Sequence, residues 1–118
     1  MRVRTCLRFP GGKFYAVKNI RPFYQIPHEE FREVFAGGLS VFLDKKLAPK
    51  LNWVNDIHPE LVTFYRVIQQ EDKRKELYEL LKGEVANKAR HKEVNAMKPR
   101  NEIEIAFRFF YLDRKSVV

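Results

Sequence analysis

Two short stretches carry the residues best suited to chemistry. In "EVFAGGLSVFL", residues 33–43, a paired glycine sits between two apolar runs; in "WVNDIHP", Asp56 follows 19 residues after Gly37. Glycines at the end of a strand let a ligand touch the backbone, because no Cβ stands in the way. The N–H groups of a following helix point at the same place, with Ser40 as its N-cap. A carboxylate about 20 residues further on is where open α/β sheets bind ribose hydroxyls. Each feature has a plainer reading. Gly37-Gly38 can be a tight turn, Ser40 only a cap, Phe35 ordinary core, and Asp56 a cap for the helix that starts at Pro59-Glu60. Leu39 breaks the dinucleotide fingerprint, and no Gly-Lys-Ser/Thr follows to make a phosphate loop. His28, His58, His91 and Cys6 lack ligand spacing, so no metal site is expected.

The elements that must position these residues read as an incomplete α/β unit. "RFPGGKF" ends an apolar stretch in a turn, and "FYAVKNIRPFY" reads as a short helix stopped near Pro22. A buried strand is expected over 31–36, a helix from Ser40 to about Lys46, and a second strand in "KLNWVNDIHP". "PELVTFYRVIQQ" is a helix with Pro59 at its first position and Leu61, Phe64, Tyr65 and Ile68 on one face. "EDKRKELYELLKG" is another, ended by Gly83; residues 84–100 are polar and basic, and "NEIEIAFRFFYLDRKS" reads as a buried helix. Strand, helix, strand implies a parallel pair with a right-handed crossover. Two or three strands do not make an α/β domain alone, since parallel strands need cover on both faces. The chain therefore reads as the amino-terminal half of a doubly wound sheet, expected to dimerise or to need a complementing carboxy-terminal half.

Composition bounds the alternatives. A chain of 118 residues, 45% hydrophobic and 32% charged, fits one folded domain over 1–118 rather than disorder. No apolar run approaches the ~20 residues of a membrane helix, and the Arg-rich start lacks a secretory signal's apolar core. A lone cysteine fits a reducing compartment, so a cytoplasmic location is expected. Net charge is +8. Arg2, Arg4, Arg8, Lys13, Lys18 and Arg21 lie in a segment without acids, and Lys82, Lys88, Arg90, Lys92, Lys98 and Arg100 face only Glu84 and Glu93. Such segments suit a polyanion, although solvated helix faces explain them as well.

Taken together, four stretches in order resemble the Dam-like, alpha-group adenine-specific DNA methyltransferases. "RFPGGKFYAVKNI" resembles the family's first motif, "EVFAGGLSVFL" its cofactor loop, "VNDIHPELVTFYRVIQ" its Asn-Asp strand end and helix, and "AFRFFYLDRKS" its aromatic helix. The resemblance implies a Rossmann-like fold, S-adenosylmethionine as cofactor and DNA as partner. It assigns Phe9, Pro10 and Lys13 to the methionine side of the cofactor and Phe35, Gly37, Gly38 and Ser40 to the loop beneath it. Asp56 matches the carboxylate that takes the ribose, and Ile57 the apolar neighbour of the adenine. Leu39 departs from the pattern, standing where many relatives have a third small residue, and Asp113 stands where Asn is commoner.

The family's catalytic Asp-Pro-Pro-Tyr is not in these 118 residues; none of the six prolines follows an aspartate or another proline. That motif holds the adenine amine and stacks on the flipped base. No catalytic residue is therefore assigned here. The expectation is the cofactor-binding, amino-terminal part of an adenine methyltransferase, truncated and inactive alone. The alternative is a non-catalytic basic module that binds nucleic acid or a protein partner.

Overall fold

The computed structural model describes Leu7 and residues 16–114. They form a mixed helix and strand chain in two compact units, Met1–Ile57 and His58–Val118.

The first unit holds α1 (Val17–Tyr24), β1 (Glu30–Glu33), α2 (Ser40–Asp44) and β2 (Leu51–Val54). The strands pair in parallel, with Glu30 opposite Leu51 and Glu33 opposite Val54. Only the first half of the expected strand over 31–36 is regular, and it is half-exposed rather than buried. Pro22 does not stop α1 but lies inside it. Two residues follow before the helix ends, and the missing N–H and the ring both fall on the carbonyl of Lys18, one turn earlier. The helix expected from Ser40 to Lys46 stops at Asp44, and Lys45 is extended. Pro49 disfavours helical backbone at Ala48, so the chain has little room to continue the helix. Val17, Val41 and Ala48 are buried in this unit.

The second unit is helical: α3 (Pro59–Gln69), α4 (Glu71–Leu81), α5 (Lys88–Ala96) and α6 (Glu102–Arg114). Leu61, Phe64 and Val67 form the buried face of α3, while Tyr65 and Ile68 are half-buried. Phe64 stacks on Phe110 of α6, ring centroids 5.5 Å apart. Tyr111 is fully buried and donates its hydroxyl to the Val85 carbonyl at 2.7 Å. Burial of that polar tip is tolerated because it is paired. Gly83, at φ +83°, turns the chain after α4. Among the described residues, no helix is long and apolar enough to cross a membrane.

Candidate functional site: the glycine loop and Asp56

The carboxyl ends of β1 and β2 converge on one loop. Beyond the regular ladder, the Asn55 N–H donates to the Glu33 carbonyl at 2.8 Å. An undisturbed parallel ladder would then bring the Phe35 N–H to the Asn55 carbonyl. Instead the Ala36 N–H takes that bond, at 2.8 Å. One residue is thus inserted, the arrangement of a β-bulge. Ala36 is buried, while Phe35 is thrown outward and 76% exposed. Ile57, just past β2, is 91% exposed. Two large apolar side chains are therefore presented to solvent within a few residues of the strand ends.

Gly37 and Leu39 both have positive φ, 51° and 64°. The Leu39 N–H donates back to the Ala36 carbonyl at 2.9 Å, closing the turn. Left-handed backbone suits glycine but costs a leucine about 1 kcal/mol. The departure noted in the sequence, Leu39 in place of a small residue, therefore falls where a glycine, with no Cβ, would relieve strain.

Asp56 does not cap α3. That role belongs to His58, whose Nδ1 accepts from the Leu61 N–H at 3.3 Å. The Asp56 Oδ2 instead accepts from the Gly37 N–H at 3.0 Å, across 19 residues of sequence. A half-buried carboxylate on a backbone amide is held in orientation as well as position. Ser40 is likewise not the cap of α2: Leu39 stands at that position, and Ser40 is the first helical residue and is buried. With five residues, α2 is too short for its N-terminus to count as an anion site by itself.

The structure thus gathers Phe35, Gly37, Gly38, Asp56 and Ile57 at the strand ends, with Ser40 directly behind; Phe9, Pro10 and Lys13 lie outside the described residues. A cavity of about 640 Å³ in the same unit lies elsewhere. It is bounded by Ile26, His28, Lys45 and Leu47, in the segments that lead into the strands, and contains none of the residues just gathered. Among the described residues, no group of three or more His, Cys, Asp or Glu could hold a metal ion.

Sequence reasoning missed three residues that line that cavity. Arg21 and Tyr24 of α1 both donate to the Asp44 carboxylate at the end of α2. The helical spacing of Arg21 and Tyr24 placed them on one face of α1, but nothing in the sequence pointed to Asp44 as their partner.

A family model describing D12 class N6 adenine-specific DNA methyltransferases matches residues 9–115. The chain belongs to this family. A curated relative by sequence is the type II methyltransferase M.CviBI of Paramecium bursaria Chlorella virus NC1A, 28% identical over 110 residues. The match covers 93% of this chain but 42% of that relative, so the chain spans less than half of its length. Within the D12-class match fall both the glycine loop and Asp56.

Proposed function

We propose that this chain is the methyl-donor side of a DNA adenine methyltransferase: it binds S-adenosylmethionine at the glycine loop of an incomplete Rossmann-like sheet. The observation that carries the reading is the Gly37 N–H to Asp56 hydrogen bond, which joins the two strand ends at one point. The residues around it fit the cofactor. An oriented carboxylate suits a ribose diol, and the exposed pair Phe35 and Ile57 offers apolar surface for an adenine ring. Glycine at position 37 keeps the backbone side of the site free of a Cβ. Among the segments outside the described residues, Lys13 supplies a cation for the cofactor's carboxylate.

Bound S-adenosylmethionine supplies an electrophilic methyl group on a sulfonium sulfur. The work of this chain is to bind and orient that donor: Asp56 fixes the ribose, and Phe35 and Ile57 exclude water from the adenine. The acceptor in the family's reaction is the exocyclic amine of adenine in DNA. The groups that would hold that amine in line are not assigned to these residues, which contain no Asp-Pro-Pro-Tyr. Positioning of the two reactants is a large part of the rate, so binding of donor without methyl transfer is the expected behaviour of the 118-residue chain.

Calorimetric titration of S-adenosylmethionine into the chain tests this. Saturable heat is expected, lost in Asp56→Ala and weakened at least about tenfold in Asp56→Asn, which keeps an acceptor for Gly37 but loses the charge. No heat with the wild-type chain at millimolar ligand contradicts the cofactor reading and leaves a basic binding module.

A further inference from the structure

The cavity of about 640 Å³ has no part in the donor reading. It lies at the amino ends of both strands: residues 26–28 lead into β1 and 47–49 into β2, whereas the glycine loop is at their carboxyl ends. The chain itself holds the walls. The Lys50 N–H donates to the Glu29 carbonyl at 2.9 Å and so joins the two lead-in segments. The Ala48 N–H donates to Asn52 Oδ1 at 2.9 Å, and Asn52 Nδ2 donates back to the Ala48 carbonyl at 2.8 Å. The Asp44 carboxylate accepts from Arg21 Nε and Nη2, both at 2.9 Å, and from the Tyr24 hydroxyl. A preformed cavity of this volume suits a small organic molecule, and little ordering cost opposes binding.

The groups left over in these walls have a sign. Asp44 is already engaged by Arg21 and Tyr24, whereas Lys45 and Lys46 have no carboxylate partner among the described residues. Three cations against one carboxylate leave the described lining at +2 with His28 neutral. Lys45 Nζ lies 4.3 Å from the centroid of the Phe31 ring and donates to the Lys46 carbonyl at 2.6 Å. Burial lowers the Lys45 pKa, the mark of an ammonium short of solvation. His28 Nδ1 donates to the Ile26 carbonyl at 2.7 Å, which leaves Nε2 buried without a partner among the described residues. A buried nitrogen without a partner is uncommon in folded chains and marks a wall that a ligand can complete. Beside these polar groups stand Ile26 and Leu47, 65% and 67% exposed.

We propose that this cavity is a second ligand site, for a small organic anion: a phosphate monoester on an apolar, ring-sized body. Lys45 and Lys46 meet the phosphate, and Ile26 and Leu47 cover the body. Two cations in a concave apolar frame fit a compact anion better than a nucleic-acid strand, whose successive phosphates need a track of them. The site shares no residue with the glycine loop, so the proposal stands apart from the cofactor reading.

Naphthyl phosphate is the probe, because it carries both halves of this chemistry and no ribose for Asp56. Calorimetry with the wild-type chain should give saturable binding with a Kd below about 1 mM. Inorganic phosphate and naphthol should each bind at least about tenfold more weakly, since each supplies one half. Lys45→Gln is expected to weaken naphthyl phosphate about tenfold, and Lys45→Arg, which keeps the charge, to stay within about threefold of wild type. Leu47→Ser should weaken it about threefold through lost apolar cover. Backbone amide shifts in the wild-type chain locate the probe: residues 26–28 and 45–47 should move and Gly37 should stay. That map decides even where a variant fails to fold. Any of four results overturns the proposal: no saturation, naphthol as tight as its phosphate, unchanged affinity in Lys45→Gln, or shifts centred on Gly37.

Discussion

At the scale of single residues, the glycine loop is governed by backbone conformation. Gly37, at φ 51°, occupies left-handed space that an alanine enters only at a cost of about 1–2 kcal/mol. Gly37→Ala should lower unfolding free energy by about that amount in urea titrations, and should weaken S-adenosylmethionine as well. Leu39 shows where sequence reading stops. A glycine pair announces flexible backbone, but a leucine at φ 64° announces nothing, since its cost is met by the surrounding turn. Asp56 was legible as a choice between two roles. His58, directly before Pro59, takes the cap, and Asp56, two residues earlier, turns back to Gly37. The sequence offered Asp56 both roles and could not rank them, because the ranking depends on where β1 ends; it did not point to His58 as the cap.

At the scale of elements, order was readable, and so was the existence of every element except α5, which falls in the polar, basic stretch 84–100; lengths were not. Apolar periodicity exposed α3, α4 and α6, and the turn residues exposed their ends. The run from Phe31 to Ala36 reads as one strand because it alternates poorly and is rich in apolar residues, yet the bulge before Ala36 depends on pairing with Asn55. The aromatic surface it creates at Phe35 could not be read from local sequence for the same reason. Two helix starts can be tested. Asn87 Oδ1 caps α5 by accepting from the Arg90 N–H at 2.8 Å. Asn87→Ala should cost about 1 kcal/mol and should speed amide exchange first in Lys88–Ala96. At the start of α6, Asn101 Oδ1 accepts from the Glu104 N–H, and the Glu104 carboxylate pairs with Arg100. The Arg100 hydrogen bond holds the Glu104 carboxyl below its ordinary range. A lowered folded pKa gives stability above the unfolded value that disappears as pH falls through the folded one. The advantage of wild type over Glu104→Gln in thermal unfolding should therefore be full at about pH 6 and shrink below about pH 4.

At the scale of the whole molecule, one unit carries the candidate donor site and the other is a helical layer with an aromatic core. Phe64 is central to that core, 2% exposed and in ring contact with Phe109 and Phe110. Phe64→Ala should cost about 3–5 kcal/mol, enough to remove cooperative unfolding of the His58–Val118 unit in circular dichroism. Family membership rests on the match over residues 9–115, and the donor role rests on the first unit's geometry. The measurement that tests that role most directly is nuclear magnetic resonance of backbone amides during titration with S-adenosylmethionine. The Gly37 amide, bound to Asp56, should shift with the largest amplitude together with Leu39 and Ile57, and saturate along one curve. Saturation that moves other amides and leaves Gly37 in place, or no shift anywhere, would contradict the account.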